Sequence, residues 1–218
     1  MPSDAPPVPR GSNGRAAAVV IVGMAGAGVV VGALWGWLAP PVHGVYALTR
    51  AGERVQTYLG DEADHFFVAA FLMLGMLWVV SVIAPVLVWQ WRARRGPVMV
   101  AALTVGAVAA AAVAATVGTL LVRARYPALD IDAAPVSPEH RVHYYTQAPS
   151  AFFGQGPLQM AATLLVPAAT AALVYALFAV AAVRDDLGGY PPIEPRAVAP
   201  TSPMLPMLPT SAVEPRQR

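Results

Sequence analysis

Four uninterrupted apolar stretches decide what this chain can fold into. They run from about Ala16 to Leu38, Phe66 to Trp89, Val98 to Val122 and Leu158 to Val183, and none contains Asp, Glu, Lys, Arg or His. A helix that crosses the hydrocarbon core of a bilayer needs about 20 mostly apolar residues, because that core is roughly 30 Å thick and each residue rises about 1.5 Å. Lipid cannot satisfy backbone N–H and C=O groups, so each stretch must be a helix or part of a closed barrel. The runs do not alternate, which excludes the barrel. Composition agrees: of 218 residues, 57% are hydrophobic and 12% charged, about half the charge of an ordinary soluble domain. The expected fold class is all-α. It is a four-helix transmembrane bundle over residues 16–190, with two longer extracytoplasmic loops and disordered Pro-rich tails at 1–15 and 191–218.

The first stretch is longer than the roughly 7–15 apolar residues of a secretory signal. It ends in WLAPP without a small-x-small cleavage site, so it reads as a retained anchor. Arginine placement sets the orientation. All fourteen basic residues are Arg, and nine flank the N-terminus (Arg10, Arg15), the short QWRARRGP loop (Arg92, Arg94, Arg95) and the C-terminal side (Arg184, Arg196, Arg216, Arg218). These regions share one side, so both termini are expected in the cytoplasm and the protein in the plasma membrane. Arg123 and Arg125, after the third stretch, run against that pattern. Trp35, Trp37, Trp89 and Trp91 lie near the ends of apolar stretches, where interfacial anchors belong.

Gly28, Gly32 and Gly36 recur at steps of four in the first stretch, and Gly106, Ala110, Ala114 and Gly118 do so in the third. Small residues on one face let helix backbones approach closely, and dispersion is the main attraction between helices in lipid. Both faces are therefore expected in helix–helix contacts, with each other or with another subunit. Pro85 and Pro167 lie inside the second and fourth stretches and predict kinks.

The polar chemistry sits in the loops. GDEADHFF, residues 60–67, places Asp61, Glu62, Asp64 and His65 just before the second stretch. The favoured reading is a helix start, where carboxylates accept free N–H groups and offset the helix dipole. The alternative is a two-loop metal site from Asp61, Glu62, His65, His140 and His143, because imidazole and carboxylate together can bind zinc, iron or copper. In the first loop, Val42, Val45 and Tyr46, and again Val55, Tyr58 and Leu59, have helical spacing and suggest a broken amphipathic surface helix. The second loop, from Arg123 to Pro157, shows no long periodic stretch, but Tyr144, Tyr145, Phe152 and Phe153 suggest that it packs on the first loop or on lipid. Asp185 and Asp186 fall at the end of the fourth stretch, where a contact with the Arg92–Arg95 loop would offset the unfavourable dipole.

Cysteine is absent, which removes disulfides, thiolate metal sites and cysteine nucleophiles. No nucleotide-binding, nucleophile-elbow or zinc-protease motif occurs. A net charge of +2 gives no nucleic-acid signal. No ionisable group lies within the apolar stretches, where pumps and ion-coupled transporters usually keep one.

The segments GALWGWLAPP, RAGERVQTYLGDEADHFF, VWQWRARRGPVMV, RYPALDID, YTQAPSAFFGQGPLQ and VRDDLGGYPP resemble a family of small mycobacterial and related actinobacterial membrane proteins, a conserved domain of unknown function. The likeness covers roughly residues 30 to 192. It implies a four-span plasma-membrane protein and supplies no ligand or catalytic residue. The expected role is a non-enzymatic accessory or scaffold of envelope or membrane machinery, without a cofactor. It would contact lipid and a membrane-protein partner or a second copy, but not nucleic acid. The alternative is a small-solute or metal transport component using the acid- and histidine-bearing loops, and a membrane enzyme ranks third.

Overall fold

The computed structural model describes residues 13–126, 130 and 132–182. The C-terminal tail, most of the N-terminal tail, and Asp185 and Asp186 lie outside the described residues. The elements are α1 (Asn13–Leu38), β1 (Val42–Leu48), β2 (Arg54–Tyr58), α2 (Asp64–Trp89), a 3-10 turn (Arg92–Arg94), α3 (Pro97–Arg125), β3 (Val142–Gln147) and α4 (Pro157–Ala181). All four α-helices are long and apolar enough to cross a membrane. They begin and end within a few residues of the apolar runs, because those runs hold nothing that would stop a helix in lipid.

The four helices form one bundle. Helix α1 packs most extensively on α3, then α3 on α4, α4 on α2 and α2 on α1, so α1 and α4 stand diagonally apart. The core has two layers. One gathers Val20, Met24, Met99, Leu103, Ala171 and Tyr175. The other, nearer the strands, gathers Val31, Trp35, Met73, Leu77, Ala114 and Val122. Val22, Phe71, Leu120, Leu158 and Val180 are exposed on the outside, as lipid-facing side chains would be.

The α1–α3 seam is set by small residues. A Cβ built on Gly28 would strike the Ala110 carbonyl oxygen and lie 2.9 Å from the Ala110 Cα. One on Gly32 would lie 2.5 Å from the Ala114 carbonyl oxygen. Gly36 faces Leu121 and Gly118, while Gly106 lies under the Met24 thioether and Gly118 under the Trp35 ring. Successive steps of four on α1 therefore meet successive steps of four on α3, and the two helices run parallel.

Two expectations are corrected here. Trp35 is not an interfacial anchor: it is fully buried, and its indole N–H donates to the Ala69 carbonyl of α2 at 2.7 Å. The absent side chain at Gly118 leaves room for its ring. Trp37 and Trp91 are exposed. The first loop is not a surface helix but a β-hairpin. Thr49 N donates to the Glu53 carbonyl at 2.8 Å, and Gly52, at φ 84°, supplies the left-handed residue that closes the turn. A third strand from the second loop adds to β1, giving an antiparallel sheet in the order β2-β1-β3. The signal was present: VHGVYAL and RVQTY are rich in β-branched and aromatic residues and flank a Gly-bearing turn.

At the opposite end of the bundle the RARR loop is pinned. Arg95 lies over the Trp89 ring at 4.3 Å and donates to the Trp89 carbonyl at 2.9 Å, and Gly96 N donates to the Tyr175 hydroxyl at 3.0 Å. Pro85 and Pro167 are buried within α2 and α4.

Candidate functional site

The polar residues gather where the sheet meets the bundle. Strand β1 begins four residues after α1 ends, and β2 returns to α2 through a tight turn at Gly60, φ 49°. This brings His43, on β1, over the start of α2. One oxygen of Glu62, Oε2, accepts the His43 backbone N–H at 3.0 Å and lies 3.1 Å from His43 Nδ1 and 2.9 Å from His65 Nδ1. His65 Nδ1 is also 2.9 Å from the Pro41 carbonyl. A carbonyl only accepts, so that nitrogen carries the proton. The backbone N–H of His43, above all, holds the Glu62 carboxyl below its ordinary value, with the two imidazoles adding to the effect against partial desolvation.

The candidates from the sequence are thus divided. Glu62 and His65 come together, as their spacing of three on one helical turn allows. They are joined by His43, which spacing could not select because it arrives on a strand. Asp61 and Asp64 are exposed. His143 pairs with Tyr46 and His43 with Thr146, so the two histidines lie on opposite faces of the sheet. His140 sits in a turn, where its N–H donates to Ser137 Oγ at 3.1 Å. Among the described residues no group of three or more His, Asp or Glu could hold a metal ion. The capping role is also corrected: α2 has no side-chain cap, and Glu62 turns to β1 instead.

The two faces of the sheet differ. On one, Tyr46 and Tyr145 stack with ring centroids 4.5 Å apart, and Ala134 and Val136 cover them. Arg54 ties that cover down by donating to the carbonyls of Asp132 and Ala134 at 2.6 and 3.2 Å. Gln56 donates to the Tyr145 hydroxyl at 2.6 Å. The Tyr46 hydroxyl is buried with no hydrogen-bond partner among the described residues, and burial pushes its phenol up. On the other face, register places Val55 and Val142 on either side of Ala47, with Tyr144 next to them. Val55, Val142 and Tyr144 are 44%, 51% and 68% exposed. The second loop thus packs on the first through Tyr145, while Phe153 packs edge-on against Phe71 of α2 at 4.8 Å.

Comparison with known proteins adds the lineage. Residues 24–189 match the family described as "Protein of unknown function (DUF2567)". The chain belongs to this family. It is similar, at 55% identity over 182 residues, to uncharacterised proteins of Mycobacterium tuberculosis and Mycobacterium bovis, covering 83% of this chain and 94% of each relative. An uncharacterised protein of Mycobacterium leprae is 55% identical over 177 residues, covering 81% of this chain and 89% of that protein. No solved structure gives a significant match. The matched stretch of this DUF2567 chain takes in the sheet, the Glu62 cluster and most of the α1–α3 seam.

Proposed function

We propose that this protein is a non-enzymatic accessory or scaffold in the plasma membrane, with both termini in the cytoplasm and the sheet outside. One observation carries the reading: the sheet face opposite the stacked tyrosines presents Val55, Val142 and Tyr144 to solvent. Ala47, their common neighbour, lies five residues along β1 from Val42, about 16 Å at strand rise. The occupant of this patch is a membrane-protein partner with an apolar surface. Positive-inside bookkeeping supports the orientation, since five arginines and seven of the twelve acids fall in the two sheet-side loops.

Purification of the full chain from native membranes in mild detergent tests the role. A stoichiometric partner should co-purify and be lost in Tyr144→Asp and Val142→Asp, while Val180→Ala keeps it. A lone monomer refutes the reading, and a homodimer sensitive to the same changes replaces the partner with a second copy. The other reading, a small-solute or metal transport component, draws on the acid- and histidine-bearing loops, although the Glu62, His43 and His65 group does not itself have the geometry to hold a metal ion. Its measurement is metal content of the purified protein beside His65→Ala, with His140→Ala as a further control; no bound metal removes its support.

A further inference from the structure

The three-stranded sheet has two outer edges, and the hydrogen-bond register tells them apart. Leu48 N donates to the Arg141 carbonyl at 2.8 Å, and the pairing continues without a bulge through Tyr46–His143, Gly44–Tyr145 and Val42–Gln147. In an antiparallel ladder alternate residues bond to the neighbouring strand, and those between them point the other way. Val142, Tyr144 and Thr146 therefore turn their N–H and C=O groups away from β1. None of these groups has a hydrogen-bond partner among the described residues. On β2 the outward residues are Arg54, Gln56 and Tyr58, because Thr49 N donates to the Glu53 carbonyl and Leu59 N to the His43 carbonyl. That edge carries a charge, and the Arg54 guanidinium reaches from it to the Asp132 and Ala134 carbonyls.

Natural edge strands are blunted against further pairing by charged residues, Pro or a bulge. Strand β2 has its arginine. Strand β3, VHYYTQ, has no Pro, Lys, Arg or carboxylate, and its register is unbroken. It consists largely of β-branched and aromatic residues, which suit a pleated surface. The side chains of Val142, Tyr144 and Thr146 share the sheet face opposite the stacked tyrosines, where Val142 and Tyr144 are exposed. The open edge is a row of alternating N–H and C=O dipole ends. The surface complementary to that row in charge is another extended backbone, which neither acyl chains nor a smooth apolar face can supply. We propose that the partner is held by strand addition: an extended segment of it bonds along Val142, Tyr144 and Thr146 and lays alternate apolar side chains beside Val142 and Tyr144. The proposal rests on the partner reading above and adds how that partner is gripped.

The test compares the full chain purified from native membranes with its partner and the full chain purified alone from a foreign host, by hydrogen exchange resolved to single amides. In the lone chain the Val142, Tyr144 and Thr146 amides should exchange fast, and those of His143 and Tyr145, bonded to β1, slowly. In the complex the three outward amides should slow by about tenfold or more, the worth of one hydrogen bond each. Thr146→Pro removes an outward N–H without touching the β1 ladder, a position where an edge strand tolerates proline. It should weaken partner retention about tenfold, while Thr146→Ala keeps it. Outward amides that stay fast in the complex overturn strand addition and leave the partner reading standing. Slow exchange of the same amides in the lone chain also overturns it, because the edge is then already covered. Both measurements use the unaltered protein, so they hold even where Thr146→Pro fails to fold. Absence of any co-purifying partner sinks both readings together. Protection found in a homodimer makes the added strand a second copy's and refutes the separate partner.

Discussion

Alanine placed at two neighbouring glycines of α1 should act with opposite sign. At Gly28 the new Cβ would meet the Ala110 carbonyl oxygen, with Ala110 Cα and carbonyl carbon at 2.9 and 3.0 Å. Ordinary contact lies at 3.4–4 Å, and the atoms struck are backbone, which cannot swing aside. The helices must part locally, and a gap of about 0.5–1 Å forfeits a quarter to a half of each contact along the seam. Overpacking of this kind costs about 1–3 kcal/mol, and the helix propensity of Ala over Gly returns about 0.5–1 kcal/mol. The expected net loss for Gly28→Ala is about 1–2 kcal/mol. At Gly26 nothing lies within 4 Å of the new Cβ, so only the propensity gain remains, about 0.5–1 kcal/mol. Unfolding in mixed micelles by added dodecyl sulfate, followed by the fluorescence of the five tryptophans, measures both. Variants whose stabilities agree within about 0.5 kcal/mol would show that the seam is not close-packed at Gly28.

Three further outcomes follow from named contacts. Trp35→Phe removes the bond to Ala69 and leaves a void against Gly118; it should cost about 2–3 kcal/mol in the same assay. Tyr46→Phe removes a buried hydroxyl with no partner among the described residues, so the melting temperature should hold or rise, by at most the equivalent of about 1 kcal/mol. The Glu62 carboxyl is held below its ordinary value of 4.5 in the fold. Its contribution to stability is therefore present above the unfolded-state value and is lost as pH falls through the lowered folded-state value. Melting curves of Glu62→Gln should lack that acidic-side loss, and an unchanged pH profile would dissociate the carboxylate from the network.

Particular residues show why some of this was legible in the sequence and some was not. Glu62 and His65 are three apart at a helix start, so their proximity could be read from spacing alone. His43 is nineteen residues from Glu62 and meets it only because β1 runs back past α2. The hairpin residues carry helical and strand periodicity together over a short length. What decided between them was β3, about a hundred residues later in the chain, which completes the sheet. Trp35 resembled an interface anchor by position, and only the absence of a side chain at Gly118 made it a core residue.

The apolar runs by themselves determined the four helices, their approximate limits and the glycine face of α1, because hydrocarbon leaves a backbone no other way to satisfy its hydrogen bonds. Tertiary structure decided which helix those glycines meet, that the loops join as a sheet, and which side chains share the Glu62 oxygen. Those outcomes depend on contacts between residues far apart in the chain, and a local pattern carries no information about which distant surface will close against it.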